Sequence, residues 1–107
     1  MITLETKDSL ENLPEYFEPL TEKQQEILLD WCSMINPTVN MNYKHTSYGM
    51  KTIFEKSPDG FYVYNGQMKG AMLKCGFKYE PLNDGIQWFF NVSEKSLKEL
   101  SKLKKLS

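Results

Sequence analysis

Two short amphipathic segments joined by a Pro-Asp-Gly turn, an alternating segment ahead of them and a hairpin pattern behind them predict an α+β fold. Their order is helix, short strand, helix, turn, helix, strand, loop, strand, followed by a C-terminal helix or tail. That is the order of a winged helix-turn-helix: three helices plus a small antiparallel sheet. With 107 residues, 40% hydrophobic and 13% aromatic, the chain has enough apolar surface for one core and no room for a second.

Residues 1–20 mix isolated apolar side chains (Leu10, Leu13, Tyr16, Phe17) with acids and two prolines, Pro14 and Pro19, and read as an acidic arm that includes one short helical turn. The compact domain is expected over residues 21–92. Thr21 followed by Gln24 matches a capping box, and Ile27, Leu28, Trp31 and Ile35 form an apolar stripe, giving a helix from Thr21 to about Ile35 that Pro37 stops. Val39, Met41 and Tyr43 alternate with Asn40, Asn42 and Lys44, the period of a half-buried strand.

The next helix starts at Thr46 or Ser47 and carries Met50, Ile53 and Phe54 on one face. It stops at Ser57, because Pro58 disfavours helical geometry in the residue before it, and Pro58-Asp59-Gly60 turns the chain. Phe61 to Tyr64 run extended. Asn65 is placed to cap a helix from about Gly66 to Cys75, with Met68, Ala71, Met72 and Cys75 on its apolar face and Gly76 to close its last turn. Phe77 and Tyr79, a turn-rich stretch Pro81–Gly85, and Ile86, Trp88, Phe90 and Val92 then make a β-hairpin. Trp31, Ile53, Phe54, Met68, Met72 and Trp88 are expected to share one core. Residues 93–107 are expected to be a separable attachment, since Leu97, Leu100, Leu103 and Leu106 recur every third residue and drift around a helix; they suit a protein partner or a second copy.

Charge is uneven along the chain. Residues 1–30 carry a net −6, residues 31–93 a net +2 and residues 94–107 a net +3. All thirteen basic residues are lysine, so no bidentate guanidinium fork is available for guanine or phosphate. Cys32 and Cys75 fall on apolar helix faces and are expected to be reduced. With the single His45 they match no zinc spacing, and no paired acid and base, activated thiol or glycine-rich phosphate loop is apparent. The chain is therefore expected to be a non-enzyme without metal or cofactor. No stretch approaches the roughly 20 apolar residues of a membrane span, which points to the cytoplasm.

The stretches HTSYGMKTIFE, GFYVYNGQMKGAMLKCGF and QWFFNVS, between His45 and Ser93, resemble a group of short uncharacterised proteins of phages and mobile elements in low-GC bacteria. Thr52 and Tyr64 depart from that group's pattern. The resemblance implies a mobile-element origin, with replication, transcriptional control or interference with host defence as roles.

Two functions follow as expectations. In the first, the chain binds DNA through the helix opened by Asn65, whose outward face presents Gln67, Gly70 and Lys74 with Lys69 at its border, and Lys51 supplies a further phosphate contact. Asn65 and Gln67 would read base edges. Gly70 would let the backbone approach a groove, or equally let the helix pack tightly on another element. Tyr48, Tyr62, Tyr64 and Trp88 could stack on unpaired bases, although their alternation assigns them to buried faces. In the second, the acidic arm or the leucine-striped tail docks on a protein, and the chain is an inhibitor or accessory subunit.

Overall fold

The computed structural model describes residues 9–105. Two 3-10 turns, Leu10–Asn12 and Pro14–Phe17, lead into helix α1 (Glu22–Ser33), strand β1 (Pro37–Asn42), helices α2 (Ser47–Lys56) and α3 (Asn65–Lys74), strands β2 (Tyr79–Pro81) and β3 (Trp88–Val92), and helix α4 (Glu94–Ser101). The three strands form one antiparallel sheet in the order β1-β3-β2.

Local chemistry explains most boundaries. The Thr21 hydroxyl accepts the Gln24 N–H and the Gln24 side chain accepts the Thr21 N–H, the reciprocal box that starts α1. Thr46 caps α2 through the Gly49 N–H. Gly60 donates to the Ser57 carbonyl, closing the turn after α2. At the far end of α3, Gly76 has φ +87°, its N–H bonds the Leu73 carbonyl, and the Phe77 N–H reaches back to Met72. This pairing satisfies the last carbonyls and turns Phe77 into the core. The hairpin turn is held by Asp84, whose carboxylate accepts the Ile86 and Gln87 N–H groups and is thereby kept below the usual carboxylate range.

The second 3-10 turn, the four α-helices and strand β3 send side chains into a single core: Phe17, Leu28, Trp31, Phe54, Met72, Phe90 and Leu97 all belong to it. Trp31, Phe54, Met68, Met72 and Trp88 share it as expected, and Ile53 packs at its margin.

Three expectations need correction. β1 is not a half-buried strand. It is an edge strand whose register against β3 is irregular, with Pro37 opposite Val92 but Asn42 opposite Phe90, and the extra residues bulge outward so that Val39 is 93% exposed. The C-terminal segment is not separable. Ser93 caps α4, the Ser93 N–H bonds the Asn36 carbonyl, and Leu97 and Leu100 are buried in the core beside α2. Nor does the acidic segment hang free over its described part, because Asn12 and Phe17 are buried against α3.

Candidate functional site

α3 is buried along eight consecutive residues, Asn65 to Met72. It starts at Asn65 rather than Gly66, with Tyr64 at the cap position, because the Gln67 side chain reaches back to accept the Tyr64 N–H at 2.8 Å. The face that the sequence leaves outward lies under the segment 10–17. A methyl group on Gly66 would run into the Leu13 carbonyl, and one on Gly70 would run into the Pro14 carbonyl and come within 2.6 Å of Phe17 Cβ. The two glycines sit one turn apart because a backbone crosses them there.

The polar side chains on that face are committed inside the protein. Asn65 donates from Nδ2 to Asn12 Oδ1 and to the Ile86 carbonyl, both at 2.9 Å. Lys69 is 2% exposed; its Nζ donates to the Asn12 carbonyl at 2.9 Å and lies 4.6 Å from the centroid of the Trp88 ring. Asn65, Gln67, Lys69 and Gly70 therefore form no outward reading face, which corrects the expectation for this helix.

The other two expected contact lysines lie nearer the surface and are paired. Lys51 Nζ is 2.9 Å from Glu55 and 4.5 Å above the Tyr62 ring. Lys74 Nζ is 3.2 Å from Glu18 and 5.4 Å above the Phe17 ring. With Lys69 inside and these two neutralised, no continuous basic face runs through Lys51, Lys69 and Lys74. Of the leucines assigned to a partner, Leu97 and Leu100 are core, Leu103 is half exposed beside a groove with Trp31, Met34 and Phe54, and Leu106 lies outside the described residues.

What the fold does bring together is a cluster of tyrosines. The connection from α2 to α3 runs extended, so alternate residues face opposite ways: Val63 is buried, while Tyr62 and Tyr64 are 63% and 39% exposed. The Val63 N–H donates to Glu55 Oε2, the same oxygen that holds Lys51, which fixes the connection against α2. The Tyr64 ring lies 5.1 Å from Tyr62 and 5.4 Å from Tyr16, centroid to centroid. Beneath them is a depression of about 200 Å³ lined by Glu11, Tyr48, Lys51, Tyr62, Tyr64 and Asn65. Asn65 lines it, and its side-chain Oδ1, itself enclosed, accepts no hydrogen bond among the described residues. The Ile86 carbonyl can only accept, so it fixes which end of the amide is Nδ2.

The aromatic alternation at 61–64 is the signal that could have found this cluster. Its parity was the difficulty: the buried set there is Phe61 and Val63, which leaves the tyrosines outside.

Two further polar clusters serve as links within the fold. His45 Nε2 lies 2.8 Å from Glu94 Oε1, and Asn42 Nδ2 donates to the same oxygen at 3.0 Å. The Asn42 hydrogen bond, with the charge of His45, holds the Glu94 carboxyl below its usual range. Cys32 and Cys75 are free thiols: Cys32 Sγ donates to Met68 Sδ at 3.9 Å and Cys75 Sγ to the Leu29 carbonyl at 3.7 Å, burial pushes the Cys32 thiol well up, and the nearby Cys32 thiol lowers Cys75 to about 7. Among the described residues no three His, Cys, Asp or Glu side chains are grouped to hold a metal ion, and no helix is long and apolar enough to cross a membrane. No protein-family model, curated protein or solved structure matches the chain.

Proposed function

We propose that this chain is a non-enzymatic, protein-binding accessory of a phage or mobile element, built on a winged-helix-like frame whose third helix serves as core. The element order and the β1-β3-β2 sheet support the frame. The observation that carries the function is the tyrosine cluster over a pocket, Tyr16, Tyr62 and Tyr64, in a molecule whose α3 is closed to a DNA groove. Tyrosine gives a large, stiff contact area with a polar tip, and it is enriched where protein partners bind most strongly.

Capture from host and element-bearing cells on immobilised protein, compared with the Tyr62→Ala/Tyr64→Ala double variant, tests the proposal. A protein retained by the natural chain and released by the variant supports it. Binding of short duplex or single-stranded DNA at micromolar concentration and low salt, unchanged in the double variant, contradicts it.

A second reading keeps nucleic acid but moves the contact. Lys95, Lys98, Lys102, Lys104 and Lys105 are exposed on α4 and the turn after it, and none forms an ion pair among the described residues. DNA binding that disappears in Lys102→Ala/Lys104→Ala/Lys105→Ala, with a shallow salt slope of about −2 to −4 for so few phosphate contacts, would select this face.

A further inference from the structure

The two cysteines come from different helices and lie where α1 packs on α3. Cys75, at the C-cap of α3, donates to the Leu29 carbonyl of α1 at 3.7 Å. Cys32 stands one turn after Leu29, and in a helix a carbonyl lies beside the side chain three residues on. The Cys75 sulfur is thereby set next to the Cys32 side chain. Met68, two turns before Cys75 on the same face of α3, accepts from Cys32 at 3.9 Å. Burial divides the pair: Cys32 is 0% exposed, whereas Cys75 is half-buried between the exposed Lys74 and Gly76.

We infer that Cys75 is a site of thiol modification by low-molecular-weight disulfides and that Cys32 resolves the adduct, closing a reversible Cys32–Cys75 disulfide between α1 and α3. This goes beyond the protein-binding reading and does not rest on it. The Cys75 thiolate attacks one sulfur of the small disulfide; a new S–S bond forms, the old one breaks, and one thiolate leaves and takes up a proton. Cys32 then gives its proton to solvent, attacks the Cys75 sulfur and displaces the second thiolate, which is protonated in turn. The chain loses two electrons and two protons, and the small disulfide is reduced to two thiols.

The division of labour follows from the setting. The nearby Cys32 thiol lowers Cys75 to about 7, so a large share of it is thiolate near neutral pH, while burial keeps Cys32 protonated and away from external reagents. Closing the bond gives up only the two thiol hydrogen bonds, to a carbonyl and a thioether, and a thiol is a weak donor.

The test incubates the full chain at neutral pH with excess oxidised glutathione, quenches samples in acid and follows them by intact mass and peptide mapping. The natural chain should pass through a glutathione adduct on Cys75 to a monomeric product two hydrogens lighter than the starting chain, with the Cys32 and Cys75 peptides joined. Dithiothreitol should restore the thiols. Cys32→Ala should stop at the Cys75 adduct, and Cys75→Ala should react at least about tenfold more slowly than the natural chain. Urea unfolding checks that both variants fold, and the product of the natural chain decides the inference without them. A natural chain that stays unmodified over hours, that ends as the same stable adduct as Cys32→Ala, or that joins two copies through Cys75 would overturn the inference, as would a Cys75→Ala variant that reacts as fast as the natural chain.

Discussion

Lys69 carries an ammonium group to a position where only 2% of the residue meets solvent, and the surroundings explain how the fold tolerates it. The Asn12 carbonyl accepts from it, the Trp88 ring faces it, and the Asp84 carboxylate is near enough to feel its charge. One side chain thus joins the N-terminal turn, the hairpin and α3. Lys69→Ala should therefore cost at least about 2 kcal/mol in urea unfolding, since it removes the hydrogen bond to the Asn12 carbonyl and leaves a cavity behind. A surface phosphate contact would predict a change within about 0.5 kcal/mol. The residue type alone could not separate these cases, because lysine at the border of an apolar stripe is ordinarily a solvated cation. Its burial depends on a carbonyl 57 positions earlier in the chain.

Helix α1 was legible down to its capping box, and α2 and the closure of α3 at Gly76 were legible from turn chemistry, because each of these signals lies within five or six residues of sequence. What the sequence concealed was which faces the elements present. α3 has one obvious apolar stripe at Met68, Ala71 and Met72, but its opposite face is also buried, with Asn65 and Lys69 given distant partners and Gln67 a local one. The pair Gly66 and Gly70 was the available clue, since two glycines a turn apart announce a close backbone without saying whose. The every-third-residue leucines misled in the other direction. α4 is short enough that Leu97 and Leu100 share one face before the stripe drifts, and the Ser93 N–H and the Ser96 hydroxyl tie the start of the helix to Asn36. Leu97→Ala should accordingly cost about 2 to 5 kcal/mol, the range for a fully buried leucine. Thermal or urea unfolding that changes by less than about 0.5 kcal/mol would show that α4 does detach.

At the scale of the whole molecule, the acidic first third and the basic last seventh do not divide into arm, domain and tail. The described part of the acidic segment is the lid on α3, and α4 completes the core from the other end of the chain. The net charge near zero and the neutralised lysines around α3 leave little electrostatic attraction for a phosphate backbone there, whereas the tyrosine surface is made where the lid, the 61–64 connection and the start of α3 meet. Closure of α3 is thus the point on which the functional reading turns, and Gly70→Ala tests it by the sign of a stability change. If the helix face at Gly70 were open to a DNA groove, alanine would stabilise the protein by about 0.5 to 1 kcal/mol through better helix propensity. With the Pro14 carbonyl and Phe17 pressed against that position, the added methyl group should instead destabilise the protein by about 1 to 3 kcal/mol in urea unfolding. A stabilised Gly70→Ala variant would contradict the account.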